Sequence, residues 1–213
     1  MNIILSKLIK KPTDIVSEFG EISILFYKII LSLSKVIKNR RQVLFQMEHI
    51  GVGSLPLVLI IAVFTGAVAA WQAAYQLKGI APLSFLGAAT SRAIITEWGP
   101  VLTGVVIAGR VGASFAAELG TMKVTEQIDA LESMAISPIR FLAMPRFLAS
   151  IVMLPLLALF ASFIAVFGAF VVSNYFLGVS PAVFFQSVKQ HFLLYDLFTG
   201  LIKTVFFGGV TAL

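Results

Sequence analysis

Five ionisable side chains lie in stretches of the chain that are otherwise apolar: Glu97, Arg110, Glu118, Asp196 and Lys203. Groups of this kind can pair as ions, relay protons or bind a polar ligand. Arg110 is one helical turn from Ser114 and two turns from Glu118. We therefore expect it to pair with a carboxylate or to extend toward water.

Glu97 and Lys203 are the pair that a ligand-binding role would need. Glu97 is about thirteen residues, or roughly 20 Å of helix, from Arg110. Lys203 is two turns from Asp196. If the helices that carry them are neighbours, Glu97 or Asp196 could neutralise Lys203. Alternatively, these charges line a cavity that accepts the polar head of a lipid.

Catalytic and metal-binding sets are missing from the sequence. The chain has no cysteine, its two histidines, His49 and His191, are far apart, and its acidic residues form no clustered pair. No P-loop pattern G-x-x-x-x-G-K-[ST] occurs, so the chain carries no recognisable ATP site. We expect no enzyme activity, no metal and no cofactor in this chain.

The composition is typical of a membrane protein. Only 12% of the residues are charged, against about 25% in soluble domains, and 59% are hydrophobic. Residues 50–77 and 147–188 carry no charge, and each run exceeds the roughly 20 residues that a spanning helix needs. The sequence therefore predicts an all-α polytopic membrane protein.

Four spans are expected in residues 46–213, after an amphipathic interfacial helix in residues 1–45. "HIGVGSLP" is expected to turn into the membrane, and residues 78–92 and 173–191 are expected to be loops, the second with a short apolar, re-entrant stretch. The chain stops inside an apolar run, so we expect its C-terminus to be truncated. The predicted spans are Leu55–Leu77, Ala93–Ala117, Phe147–Val172 with a kink at Pro155, and Phe192–Leu213.

The distribution of basic residues predicts the orientation. Eight of the sixteen Lys and Arg residues lie within the first 41 positions, beside the first span. The positive-inside rule then places the N-terminus in the cytoplasm, and it argues against nucleic acid as the partner of a chain with a net charge of +6. Trp71 and Tyr75, at the outer end of the first span, are interfacial aromatics or line a lipid pocket.

A charged segment between the second and third spans is the least expected feature of so apolar a chain. Thr125 is predicted to cap a helix within residues 123–136, with acidic residues in its first turns, where the helix dipole favours them. About eleven residues form only a marginal helix in water, so this helix must dock on something. It docks either on its own bundle and the headgroups or on a partner ATPase. The residues of the candidate docking surface are Thr125, Glu126, Gln127, Ile128, Asp129, Leu131, Glu132 and Met134.

The same segment resembles a known family. "AGRVGASFAAELGTMKVTEQIDALESMAISPIRFLAMPR", residues 108–146, is similar to the signature region of the MlaE/YrbE permeases, the membrane subunits of Mla and Mce lipid-transporting ABC systems. The stretch G-x-M-x-V-T-E-Q-I-D-A-L is long and unusual. "TEWGPVLTGVVIAGR" (96–110) and "GLIKTVFF" (200–207) add to a likeness that covers most of residues 45–210.

The resemblance implies an interfacial helix, five spans, and a loop helix that docks on the ATPase. Four spans are present here, which agrees with a truncated C-terminus. Glu97 and Lys203 match charged positions that the family uses around its lipid pathway. The family often has an arginine just before that glutamate, where this chain has Thr96.

The expected function is therefore a permease subunit that moves phospholipid between the inner membrane and the periplasm or outer membrane. Its expected partners are a cytoplasmic ATPase that holds ATP and Mg²⁺, a second permease copy in a homodimer, and a periplasmic MCE-domain protein. The expected location is the bacterial inner membrane, or the plastid inner envelope. The alternative is a stand-alone secondary transporter or channel that uses Glu97, Asp196 and Lys203 as a relay, although the repeated broken helices of such folds are missing.

Overall fold

A computed structural model describes residue 17 and residues 19–33 and 39–213, and every regular element in these ranges is helical. Three π-helical turns, Ile94–Trp98, Ala108–Gly112 and Ile139–Ala143, and a 3₁₀ turn, Leu83–Phe85, connect some of the helices. The helices are α1 (residues 19–32), α2 (Arg40–Leu77), α3 (Leu86–Ala93), α4 (Gly99–Ile107), α5 (Ala113–Val124), α6 (Gln127–Ser133), α7 (Met144–Tyr175), α8 (Pro181–His191) and α9 (Leu194–Ala212).

The all-α polytopic membrane fold is confirmed. In the described ranges, three helical runs are long and apolar enough to cross a membrane: Arg40–Leu77, Leu83–Val124 and Ile139–Tyr175. Helices α8 and α9 together make a fourth candidate, although they are bent by 78° where they meet. The prediction of four spans holds when this bent pair counts as one.

The turn predicted at "HIGVGSLP" is wrong, because α2 runs through it without a break. Its glycines allow close packing rather than a turn. A Cβ at Gly51 would overlap the side chain of Met153, and Gly53 lies beside the guanidinium of Arg110. Pro56 is accommodated inside the helix, as neighbouring helices commonly allow in membrane proteins.

The two predicted loops are also largely helical. Residues 78–92 leave the helical state only around 78–82, after which the 3₁₀ turn and α3 begin, and Gly87 packs against the carbonyl of Phe184. Residues 173–191 contain α8, and the third span is longer than predicted because α7 continues to Tyr175.

The core lies between α2 and α7, which pack together along much of their length. At Gly66 the two backbones touch, and a Cβ there would overlap the carbonyl oxygen of Ala165. Gly168 of α7 approaches the carbonyl of Val63 in the same way. Small residues at such crossings allow helices to approach closely in a bilayer, where dispersion contacts replace the hydrophobic effect.

Helix α1 lies against the start of α7. Ile29 is fully buried and packs in a cluster with Met144 and Phe147. Phe26 adds an edge-on contact with the ring of Phe147, at 5.7 Å between centroids. The described part of the predicted interfacial segment is therefore a helix that is fixed to the bundle at one point, while residues 34–38 and most of 1–18 lie outside the described ranges.

Candidate functional site: intramembrane ion pairs and a protruding helical arm

Glu97 and Lys203 form an ion pair between the second helical run and α9, as predicted if these helices were neighbours. Lys203 Nζ also donates a hydrogen bond to the backbone carbonyl of Thr96, at 3.0 Å. Helix α9 comes this close because it has Gly200 where a Cβ would overlap the carbonyl of Ile95. Thr96, which stands where the family often has an arginine, thus contributes a backbone acceptor.

Two charged residues of the second run lie in π-helical turns. Glu97 belongs to Ile94–Trp98, and Arg110 to Ala108–Gly112. Turns of this kind are rare and occur frequently at functional sites, since the extra residue redirects side chains from the regular helical faces. Sequence periodicity did not reveal these turns.

The Glu97–Lys203 pair faces outward. The Glu97 side chain is 58% exposed and that of Lys203 is 38% exposed in the isolated chain. Charges on an exposed spanning surface are costly in lipid. The chain therefore presents an ion pair that needs a polar cover.

Asp196 does not neutralise Lys203, because it is bound by Arg92. Its carboxylate accepts from Nε at 3.1 Å and from Nη2 at 3.4 Å, and its side chain is only 8% exposed. This fork-like arrangement fixes the start of α9 to α3. The proposed relay of Glu97, Asp196 and Lys203 is thus divided into two separate ion pairs.

Arg110 pairs with a hydroxyl group rather than with a carboxylate. Its Nη1 donates to Ser54 Oγ at 2.6 Å, across to α2. Glu118, two turns away on the same helix, accepts instead from Arg146 Nη2 at 2.8 Å. Of the two alternatives predicted for Arg110, the structure does not show the carboxylate partner, because helix packing places Ser54 within reach, whereas the residue is exposed, which agrees with extension toward water.

The charged segment forms a shorter helix than predicted. Helix α6 has seven residues, and its N-cap is Glu126 in a left-handed conformation at φ 57°, not Thr125. The Thr125 hydroxyl donates back to the carbonyl of Thr121 and so belongs to the end of α5. At the other end, Ala135 adopts φ 58°, and the N–H of Ile136 donates to the carbonyl of Leu131, which closes the helix before Pro138 is reached.

Helices α5 and α6 together make a protruding arm, residues 113–133, with two distinct faces. Ile128 and Leu131 are half-buried toward the bundle, whereas Gln127, Asp129 and Glu132 are exposed. Lys123 of α5 holds Asp129 of α6 in an exposed ion pair at 2.8 Å. The predicted docking residues are therefore divided between an inner face and an outer one.

Apolar side chains are exposed around the tip of the arm. Val124 precedes α6 and is 85% exposed, and Met134 and Ile136 follow α6 and are 61% and 39% exposed. Glu126 and Glu132 are exposed at the two ends of the same helix. Exposed apolar and acidic residues at both ends of a short helix are suited to binding another protein.

Trp71 and Tyr75 project outward from the last turns of α2. They are 57% and 75% exposed. Their place at the end of a span agrees with interfacial aromatics.

Sequence reasoning missed two arginines that the structure places in ion pairs. Arg92 falls in the segment 78–92 that is predicted to be a loop, and Arg146 is the last residue of the segment 108–146, for which no role of its own is predicted. A signal for Arg146 was present, since it is the last charge before the 42-residue neutral run 147–188. An isolated charge at the start of such a run needs a partner nearby.

A family model described as "Permease MlaE" matches residues 43–213. The chain belongs to the MlaE permease family. The match covers the span region, the arm and both intramembrane ion pairs.

Individual relatives agree with this assignment. A probable ABC transporter permease protein of Synechocystis is 41% identical over 82% of this chain, and one of Rickettsia typhi is 38% identical over 79%. The intermembrane phospholipid transport system permease protein MlaE of Haemophilus influenzae is 32% identical over 96% of the chain and 78% of its own length. The matched regions cover 66% and 65% of the Synechocystis and Rickettsia proteins, so this chain spans just under two thirds of their length.

Proposed function

We propose that this chain is the membrane subunit of an ABC transporter that moves phospholipid between the inner membrane and the periplasm or outer membrane. The proposal rests on two features that occur in the same chain: an outward-facing intramembrane ion pair, and exposed apolar residues at the tip of the arm. The ion pair can bind the polar head of a lipid. The apolar residues can bind an ATPase. The name of the Haemophilus relative, an intermembrane phospholipid transport system permease protein, supports phospholipid as the substrate.

The arm is the proposed contact with a cytoplasmic ATPase, which binds ATP and Mg²⁺. Val124 and Met134 are apolar and exposed, and burial of such side chains in a partner's groove is favourable. Helix α6 is too short to be stable alone, which agrees with a helix held between its own bundle and a partner. In this arrangement the N-terminus and the arm both lie in the cytoplasm.

The Glu97–Lys203 pair is the proposed polar contact of the lipid pathway. A second copy of the chain in a homodimer would cover the exposed pair and enclose the pathway between the two subunits. A periplasmic MCE-domain protein is the proposed acceptor or donor of lipid on the other side. Lys203 can bind a lipid phosphate when Glu97 releases it, because both partners are partly exposed.

The contact with the ATPase is tested by Met134→Arg, which places a charge in the apolar tip without touching the inner face of α6. We expect the purified complex to lose its ATPase subunit, with at least tenfold weaker binding. Ile80→Arg is the matched control, since Ile80 is 85% exposed in the loop at the opposite end of α2. If Met134→Arg retains the ATPase and full ATP-driven lipid transfer, the arm is not the contact.

The lipid pathway is tested separately by Glu97→Ala and Lys203→Ala. We expect assembly with the ATPase to be intact and ATP-dependent lipid transfer between vesicles to fall at least fivefold in each variant. Transfer at the wild-type rate in both variants would refute the assignment. Ion flux through the chain in the absence of any ATPase would instead favour the secondary transporter or channel.

A further inference from the structure

The arm is attached to the bundle mainly through side chains. The closest backbone neighbours of α5 are the π-turn before it and α6 after it, and α5 has few close backbone contacts with α2, α7 or α9. One guanidinium connects the arm to α7. The arm therefore continues the second helical run, has few backbone contacts with the rest of the bundle, and is held to it by side chains, among them the buried ring of Phe115.

Arg146 makes this connection from the first turn of α7. Its side chain is only 3% exposed, and its Nη2 donates to Glu118 Oε2 at 2.8 Å. Its guanidinium carbon lies 5.0 Å from the centre of the Phe115 ring. Phe115 and Glu118 are one turn apart on α5, so a single guanidinium holds two adjacent positions of the arm.

We propose that Arg146 is a positioning residue that transmits movement of the arm to α7 through Glu118 and Phe115. This inference rests on the proposed function, in which α6 receives the motion of the ATPase. The Arg146 guanidinium is buried and the Glu118 side chain is 51% exposed, so the charge-assisted hydrogen bond between them is shielded from water on the α7 side. Displacement of α5 therefore pulls on the start of α7, which is packed against α2 along the core of the bundle.

The guanidinium also has unused binding capacity. Arg146 Nε and Nη1 are buried and have no hydrogen-bond partner among the described residues. An arginine can hold a carboxylate through two parallel N–H groups, but Glu118 uses only one here. A small shift of the arm would let the second carboxylate oxygen engage, so the pair has a looser and a tighter position.

Space for this shift is present beside the pair. A cavity of about 390 Å³ lies between the arm and the bundle. Leu119 and Ile128 line it from the arm, Leu142 lines it from the π-turn before α7, and the end of α9 closes it at residues 211–213. Movement of α6 into this cavity is the shift that we expect to tighten the Arg146–Glu118 contact.

The transmission is tested in the complex with its ATPase, reconstituted in lipid vesicles. Glu118→Gln keeps the shape of the side chain and removes its charge. We expect ATP hydrolysis to continue while the lipid transferred per ATP falls at least fivefold. Glu48→Gln is the matched control, because Glu48 is an exposed carboxylate of α2 outside the arm.

A double variant shows whether the two residues act through one another. The double variant Arg146→Met with Glu118→Gln removes both partners. We expect it to transfer no less lipid per ATP than Glu118→Gln alone. If the losses add, the two residues act independently and the proposal is overturned. An unchanged ratio of transfer to hydrolysis in Glu118→Gln overturns it as well.

A second measurement does not need the ATPase. The chain has no cysteine, so cysteines placed at Gln127 of α6 and Val152 of α7 can carry spin labels without background. We expect Glu118→Gln to broaden the distance distribution between the labels and Glu48→Gln to leave it unchanged. An unchanged distance distribution in Glu118→Gln refutes the positioning role. If the distribution broadens but the lipid transferred per ATP is unchanged, Arg146 only holds the arm in place and the proposed transmission is refuted. If the wild-type complex transfers no lipid when it hydrolyses ATP, the proposed function is refuted. The distance between the spin labels still shows in that case whether Arg146 positions the arm.

Discussion

The α2–α7 pair and the α5–α6 arm are built on opposite principles. In the first, glycines bring two backbones into contact, as at Gly66 against Ala165. In the second, charged side chains bridge a gap, as Glu118 and Arg146 do beside a cavity. Backbone contact fixes one arrangement, whereas side chains across a gap allow more than one.

This difference indicates which part of the molecule can move. Tight packing against a carbonyl oxygen has no second position, because a shift of one residue brings a side chain into the contact. The arm can change its distance from the bundle while its ion pair is kept. We therefore expect the α2–α7 pair to move as one rigid frame, and the arm to be the part that changes its position relative to that frame.

The frame is tested most severely by Gly66→Ala. A single methyl group at this position would overlap a backbone carbonyl, so the two helices must separate. We expect a loss of roughly 3 kcal/mol or more in stability, at the upper end of overpacking effects. Thermal unfolding and the yield of monodisperse protein in detergent measure it. A wild-type unfolding temperature would mean that α2 and α7 are not in contact there.

The second test asks whether the bundle also depends on charges. The carboxylate of Asp196 is buried and holds Arg92 through both oxygens, whereas Glu97 is mostly exposed. We expect Asp196→Asn to cost about 1.5–3 kcal/mol and Glu97→Gln to cost less than about 1 kcal/mol in unfolding measurements. Equal losses in the two variants would contradict the division into a structural pair and a functional pair.

The sequence was most informative where composition alone decides the outcome. Charge-free runs predicted the spans, and the sequence offered Glu97 and Asp196 as alternative partners of Lys203, between which helix packing decides. Glycine and proline were misread in "HIGVGSLP", since the same residues that break helices in water allow close helix packing in lipid. The predicted turn became the middle of α2 for this reason.

Partners of charges were harder to predict than the charges themselves. Arg110 binds Ser54, and Glu118 binds Arg146 rather than Arg110, because the choice depends on how helices rotate against one another. The π-turns at Glu97 and Arg110 change how the helix faces its neighbours. The periodicity of apolar residues in the sequence does not predict such turns. The N-cap of α6 lies one residue after the predicted one because the left-handed Glu126 separates α6 from the end of α5.

The smallest predicted effect concerns Gly120, which is the counterpart of Gly66 on the arm. It lies inside α5, and a Cβ there would meet nothing within 4 Å. Glycine costs about 0.5–1 kcal/mol in a helix interior relative to alanine. We therefore expect Gly120→Ala to raise stability by up to about that amount, with the opposite sign to Gly66→Ala. Paired thermal unfolding curves of the two variants measure it. A loss of stability in Gly120→Ala would show that α5 is packed against a surface at that point, and the arm would then be part of the frame rather than a movable body beside it.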